Sequence, residues 1–569
     1  MSPDRLTLSD DVEWDDVQAI VRRPFKLWHQ SAHVILTIRD AKKAKAWLQA
    51  LEPRIRTTWD IYSIEGGTAL GPMAHAKLHF NIAFSFDGLR ALGLHHEDLA
   101  RFDDPFREGM APSTKKGVSR RAGILGDLKC NHSSAWIWGG SDLTESGEPA
   151  PTDDRVLQPD IHILLMIFAH DRAEIDKYIA GISVETDGLE VPFQGHDAAR
   201  EAGHRTKYNT HEHFGFKDGI SQPLLPGTKK HRKLSPRWRD FHEVQAGEFV
   251  LGYKNERDEY PETPTVPCCR DPDGLLKPAR DADGHVTDRR HDLGRNGTYL
   301  VARVLRQNVG TFDRTVQQVA RLIATTPELD ALDRADDGDP NDTSTRLLTR
   351  AAGLLMGRAL SGEPLAKDVG PADADGNKND FGFHHMDPAG LHCPIGSHVR
   401  RANPRDSLEP DPDTALRLSK QHRILRRSRI YGPREAPGDF QRFNGKGDRG
   451  LFFICLNADI AGQFEFIQDS WINNPAFGDL EGERDAILAP AIDTRISFPA
   501  RPFTRWTERG TRQLVEVRAG GYFFLPGRNA LKFIASQPEE HEKKTAEAGA
   551  VNVKDADALQ PSDSGGCDA

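Results

Sequence analysis

The chain has 569 residues, 37% hydrophobic and 28% charged, enough apolar mass for more than one core, so it reads as a soluble globular protein of two or more domains. Its formal net charge is −10 with acids and bases interspersed, which argues against a broad nucleic-acid-binding face. No apolar run reaches the roughly 18 residues that a membrane span requires.

The six cysteines (Cys130, Cys268, Cys269, Cys393, Cys455 and Cys567) follow neither zinc-site nor disulfide-scaffold spacing and read as thiols in a reducing compartment. VRRPFKLW at 21–28, with Arg22 and Arg23, is similar to a twin-arginine export signal followed by the apolar HVILTI. The acidic SDDVEWDDV before it, and His29, Gln30 and His33 within it, break that pattern, so a cytoplasmic location is expected.

Along the chain, HVILTIRD (33–40) is rich in β-formers and Ala44, Trp47, Leu48 and Leu51 then recur at helical spacing. Leu78, Phe80, Ile82, Phe84 and Phe86 alternate, which predicts a strand with one buried face. The apolar IHILLMIFA (161–169) predicts a buried strand, Ile175, Tyr178 and Ile179 a helix, and VPF (191–193) a last strand. That β-α-β-β-α-β order is the ferredoxin-like plan.

The second half repeats it. TYLVARVL (298–305) predicts a strand, Phe312, Val316, Val319 and Ala320 a helical face, and LFFICLN (451–457) a strand. A helix with Phe464, Ile467 and Trp471 on one side and the strand GGYFFLPG (520–527) follow. The expected fold is α+β, two tandem ferredoxin-like domains with antiparallel sheets and peripheral helices, over 15–235 and 245–536. The stretches 281–294, 330–344 and 370–380, rich in Asp, Gly and Pro, predict loops, and 537–569 a polar flexible tail.

Three polar constellations lie between these elements. In HFGFKDGISQP (213–223), Gly215 and Gly219 allow a sharp turn that presents Asp218, either as the cap of that turn or as a functional acid. HCPIGSHVRRANPRD (392–406) offers one imidazole, His398, among Arg400, Arg401 and Arg405: a metal or haem ligand beside cations for carboxylates, a phosphate site, or a packed histidine. HRILRRSRIYGP (422–433) alternates arginines with apolar residues, so that a strand there either turns some cations inward, toward an anionic or polarised partner, or forms an exposed basic edge.

Taken together and in this order, the three stretches resemble the dye-decolourising peroxidases, haem enzymes built from two ferredoxin-like domains. HFGFKDGISQP looks like that family's Gly-x-x-Asp-Gly signature, and CPIGSHVRRANPR is similar to its Cys-Pro-x-Gly-Ala-His-Ile-Arg-Arg-x-Asn-Pro-Arg. RILRRSRIYG matches its Arg-Arg-Gly-x-x-Tyr-Gly region, and RGLFFIC and GGYFFLPG look like its closing strands. The resemblance runs from about residue 15 to about 535, with departures at Ser397, Val399 and Ser428.

The resemblance implies haem b (iron protoporphyrin IX), held mainly by the second domain with His398 as iron ligand, and Asp218 and Arg426 as the catalytic acid/base and arginine. It implies Leu451 and Phe453 as an apolar wall, Gly219 and Ile220 against the cofactor, and Arg400 or Arg405 on its carboxylates. The implied activity is reduction of hydrogen peroxide with oxidation of bulky aromatic donors such as dyes and phenols, by way of a ferryl intermediate. Tyr431, Trp471 and Trp506 are the aromatic residues nearest the motifs for relaying electrons. Rival readings are a haem-handling protein of chlorite-dismutase-like fold, a non-haem metal site at His204, His211 and His213, and a binding module with acidic insertions.

Overall fold

A computed structural model describes residues 12–22, 25, 28–60, 76–111, 120–146, 160–196, 211–226, 235–326, 343–366, 379–433, 447–490, 494–498, 504–508 and 513–538. The first half is built from β1 (Gln30–Ile38), α1 (Ala41–Leu51), β2 (Leu78–Phe84), β3 (Ile163–Ala169), α2 (Arg172–Thr186) and β4 (Leu189–His196). Asp40 starts α1 by accepting the Lys43 N–H at 3.0 Å, and the buried Ala44, Leu48 and Leu51 keep the predicted stripe against the sheet.

A small sheet follows, of β5 (Thr265–Pro267), β6 (Lys277–Arg280) and β7 (Val286–Asp292). It corrects the loop expected at 281–294, where residues 286–292 form a strand. The segment is too polar to show alternation, and its pairing with β5 and β6 supplies what the pattern lacks.

The second half contains β8 (Thr298–Gln307), α3 (Val309–Ala324), α4 (Thr343–Met356) and α5 (His398–Ala402). After these come β9 (Leu425–Arg426), β10 (Arg429–Tyr431), β11 (Gly450–Asn457), the hairpin β12 (Thr494–Phe498) and β13 (Thr504–Glu508), β14 (Val515–Leu525) and α6 (Arg528–Ser536). The large sheet runs β10-β11-β8-β14-β2-β3-β1-β4, with β9 also on β11 and every pairing antiparallel. Each half has the fourth-first-third-second strand order of a ferredoxin-like unit, and the single pair Phe524 to Phe84 fuses the two into one sheet.

One face of that sheet carries Phe80, Ile82, Phe84, Val301, Tyr522 and Phe524 under α1, α3 and α6. The other face carries Leu164, Met166, Leu300, Phe452 and Ile454 under Trp14, Val17, Val21, Phe25 and Trp28. β2 is therefore buried on both faces, not on one as its alternation predicts. Its Asn81 points into polar company, with Oδ1 accepting the Ile20 N–H at 3.1 Å, so a polar residue in a strand marks a hydrogen bond here and not solvent.

The helix after β11 is also corrected. Ile460–Glu465 and Ile467–Ile472 wind with π geometry, so Phe464 packs on the main core while Ile467 and Trp471 join a second cluster with Phe477. At the C-terminal end Lys45 Nζ donates to the Gln537 carbonyl at 2.8 Å, and residues 539–569 lie outside the described ones.

Candidate active site

Asp218 sits on a turn whose backbone only glycine tolerates easily, with φ of 102° at Gly215 and 77° at Gly219. Glu212 holds the turn from inside, its carboxylate accepting the N–H groups of Phe214 (2.9 Å) and Phe216 (2.8 Å) and the side-chain amide of Gln307 at the end of β8. Burial pushes the Glu212 carboxyl above its ordinary value, although these donors oppose it. Phe214 stacks on Phe312 of α3 with ring centroids 4.3 Å apart, and Phe216 meets the same ring edge-on.

Held in this way, Asp218 Oδ1 accepts the Gly219 N–H at 2.6 Å and Arg426 Nη1 at 3.2 Å. The carboxylate both caps its turn and meets a cation. Arg426 belongs to β9, opposite Cys455 of β11, and its own N–H donates to Gln222 Oε1 at 3.1 Å. Directly opposed residues share a face, and residues two apart on β11 share it as well, so Leu451 and Phe453 lie on the Arg426 side. The Asp218 and Arg426 side chains are 31% and 33% exposed, open to a small molecule, while Leu451 and Phe453 are partly buried against the main core.

The expected inward arginines of HRILRRSRIYGP are Arg427 and Arg429, which turn to the opposite face. Arg427 Nε donates to the Ile20 carbonyl at 2.6 Å and Arg429 Nη2 to that of Phe25 at 2.9 Å. Ser428 Oγ accepts the Ile454 N–H at 3.3 Å.

His398 opens α5. Its Nδ1 lies 2.9 Å from Asp485 Oδ2, and Asp485 is fully buried, with Oδ1 accepting the N–H groups of Ile487 (2.9 Å) and Leu488 (2.7 Å). Burial by itself would raise the Asp485 carboxyl, but His398, the Leu488 N–H and the charge of Arg401 outweigh it and hold it below the usual range. An ionised carboxylate can only accept, so the imidazole proton is on Nδ1 and the Nε2 lone pair is left for a ligand. Nε2 has no hydrogen-bond partner among the described residues.

The two turns meet through the end of α4. Gly357 lies against Cys393, Ser397 and Val399, Gly362 lies against Lys217 and Ile220, and the Lys217 N–H donates to the Leu360 carbonyl at 3.1 Å. Ile220 thus packs on Gly362 beside the turn that carries Gly219 and Asp218. Arg405 Nη2 adds a link to Ser221 Oγ at 3.4 Å.

Arg400 and Arg405, expected to pair with a cofactor's carboxylates, both donate to main-chain carbonyls. Arg400 donates to the carbonyls of Asp387, Cys393 and Pro388. Arg405 donates to the carbonyls of Asn379 and Phe381 and to Asn379 Oδ1, and its guanidinium lies 3.7 Å from the Phe381 ring centre. Both are buried and knit loops together. Arg401 does the same with the carbonyls of Trp471, Asn474 and Glu483.

Of the rival histidine site, His204 lies outside the described residues and His213 Nε2 is 2.7 Å from the Tyr431 carbonyl. Among the relay candidates, Trp471 is buried and Tyr431 partly buried, and nothing is described of the Trp506 side chain.

No family model matches the sequence. A multifunctional dye peroxidase of Amycolatopsis sp. is 28% identical over 338 residues, 57% of this chain and 60% of that protein, less than two thirds of its length. Dye-decolorizing peroxidases of Exidia glandulosa and Mycena epipterygia are 25% and 26% identical over 92% and 93% of this chain and 86% and 88% of their own. Among solved structures, a DyP-type peroxidase of Anabaena sp. matches with a TM-score of 0.65 at 21% identity, covering 94% of this chain and 100% of that one. The chain is thus similar in sequence to dye-decolorizing peroxidases and shares the fold of a DyP-type peroxidase.

Two supports of the site escape a reading of the motifs. Glu212 lies one residue before the first motif and reads as a strand residue pointing away, whereas the chain turns there. Asp485 is 87 positions from His398, and its only sequence signal is a lone acid opening the apolar run DAILAPA.

Proposed function

We propose that this protein reduces hydrogen peroxide at a haem b held by His398 and oxidises aromatic donors such as dyes and phenols. One observation carries the reading: a carboxylate and a guanidinium are in contact, Asp218 and Arg426, the arginine lying on the strand face of Leu451 and Phe453, while Asp485 engages His398 through Nδ1 and leaves its Nε2 for a ligand. The donor set fits haem, because a neutral imidazole anchored through Nδ1 is a usual axial ligand of its iron. A neighbouring solved structure is a dye-decolorizing peroxidase in complex with 2,6-dimethoxyphenol, which supports phenols as donors.

Bound haem supplies the redox chemistry, and the chain supplies the proton chemistry. Asp218 Oδ1 is occupied by Gly219 and Arg426, whereas Oδ2 has no hydrogen-bond partner among the described residues. Oδ2 therefore takes the proton from one peroxide oxygen and returns it to the other, which leaves as water. The Arg426 guanidinium, permanently cationic, stabilises the negative charge on the departing oxygen. Leu451 and Phe453 keep bulk water from the pair and strengthen both effects.

A haem-handling role needs no such pair, so the contact between Asp218 and Arg426 favours the peroxidase. We place the two functional units at 15–235 and 245–536. The location we propose is cytoplasmic, supported by Val21, Phe25 and Trp28 of the twin-arginine-like stretch packing into the core. No helix among the described residues is long and apolar enough to cross a membrane.

The test is the absorption spectrum of the haem-loaded protein before and after one equivalent of hydrogen peroxide, followed by a phenol. A Soret band that changes within seconds and recovers with the phenol supports the reading. A Soret band indifferent to peroxide refutes it.

A further inference from the structure

With Arg400 and Arg405 committed to carbonyls, the question is which cation of the site is still uncommitted. Arg400, Arg401, Arg405, Arg427 and Arg429 each donate to at least one main-chain carbonyl, and Arg426 meets Asp218. Arg423 differs from all of them. Its guanidinium makes no hydrogen bond, ion pair or ring contact among the described residues.

Its backbone, in contrast, is held on both sides. The Arg423 carbonyl accepts Gln463 Nε2 at 2.6 Å, and the His422 ring before it stacks on Phe466 with centroids 3.7 Å apart. Ile424 after it packs on the cluster of Ile467, Trp471, Ile472 and Phe477, as does Leu488, whose N–H binds the Asp485 carboxylate behind His398. Arg423 thus stands on a rigid stretch between the support of His398 and the Arg426 strand. The largest electrostatic influence of a neighbour on it comes from a like charge, Arg426, and burial together with that charge lowers its guanidinium to about 10. A partly buried cation on a fixed backbone, with no acceptor among the described residues, is placed to take an anion that arrives with a ligand.

We propose that Arg423 binds a carboxylate of the haem, taking the place that the sequence suggests for Arg400 or Arg405. The proposal rests on the haem-peroxidase reading above. It also separates Arg423 from Arg400, Arg401, Arg405, Arg427 and Arg429, each of which donates to at least one main-chain carbonyl.

The test compares binding of haem and of its dimethyl ester, which lacks both carboxylates, by titrating the apoprotein and following the Soret band. For Arg423→Met, haem affinity should fall roughly ten- to a hundredfold, the worth of one charge-assisted contact, and affinity for the ester should not change. The apoprotein of the variant should melt no lower than the wild type, because an unpaired cation has been removed; a structural role would lower it. Arg423→Lys should recover part of the haem affinity, as a cation without the planar fork. Equal haem binding by Arg423→Met and wild type, or equal weakening toward the ester, overturns the proposal. A wild-type protein that binds neither compound instead refutes the haem reading on which it rests.

Discussion

Replacing Asp485 by Asn tests the geometry behind His398 more sharply than removing the histidine. In the wild type, Oδ1 accepts two backbone N–H groups and Oδ2 accepts the imidazole proton at 2.9 Å. An asparagine keeps the two backbone contacts only if its carbonyl oxygen takes the Oδ1 position, which turns its amide N–H toward His398 Nδ1. That nitrogen must then accept, so the proton moves to Nε2 and the ligand lone pair is lost. Restoring the ligating tautomer requires giving up the amide contact or flipping the asparagine away from two buried N–H groups. At roughly 1–3 kcal/mol for each unmade bond, haem affinity should fall about ten- to a hundredfold. Titration of the apoprotein with haem measures it. The pH dependence gives a second reading with a defined sign. The folded Asp485 carboxyl is held below its usual value, so its stabilisation is present above the unfolded pKa of about 3.9 and is lost as pH falls through the folded one. The melting temperature of Asp485→Asn should therefore lie below that of the wild type at pH 7, and the gap should close in acid. Wild-type haem affinity in the variant, or a gap independent of pH, refutes the tautomer argument.

Asp218→Asn removes the proton acceptor at Oδ2 but keeps an oxygen for Gly219, so kcat/KM for peroxide should drop about 10²- to 10⁴-fold with the haem spectrum intact, by stopped-flow absorbance. Arg426→Leu should cost about 10²- to 10³-fold in the same assay, and the double variant little more than the worse single one, because the two act on one transition state. Glu248 is buried and its carboxyl is pushed up to about 7, chiefly by burial, so the folded state holds its proton more tightly than the unfolded one. Its contribution is thus lost as pH rises from about 4.3 to 7, and Glu248→Gln should melt level with the wild type near pH 4 and above it at pH 8, by up to roughly 3 kcal/mol in thermal unfolding.

How much of this was legible beforehand depended on whether a residue's partner was local. β1, β3, β8 and β11 are largely buried and α1 buries one face against the sheet, and burial leaves its trace in the residues themselves, as apolar runs or as helical spacing. β7 is held by pairing to β5 and β6, with Val286 exposed, and pairing leaves no periodic trace. The π winding after β11 depends on packing against two different clusters, and Phe464, Ile467 and Trp471 fit an ordinary helical stripe equally well.

Asp218, Arg426 and His398, the site residues we propose, stand out in the sequence because each sits in a short motif that resembles one of a known family. Their supports do not, since Glu212 acts by a turn that its strand-like neighbours conceal and Asp485 acts across 87 positions. The arginines show the limit most clearly. Arg400 and Arg423 are the same residue in equally basic surroundings, and what separates them is whether main-chain carbonyls converge on the guanidinium. Those carbonyls, from Asp387, Cys393 and Pro388 around Arg400, belong to a loop whose path depends on Asp387 accepting the N–H groups of His392 and Cys393. A cation's role in this site is therefore set by the course of the chain around it, and an arginine becomes a candidate ligand for an anion only after the fold has been shown not to use it.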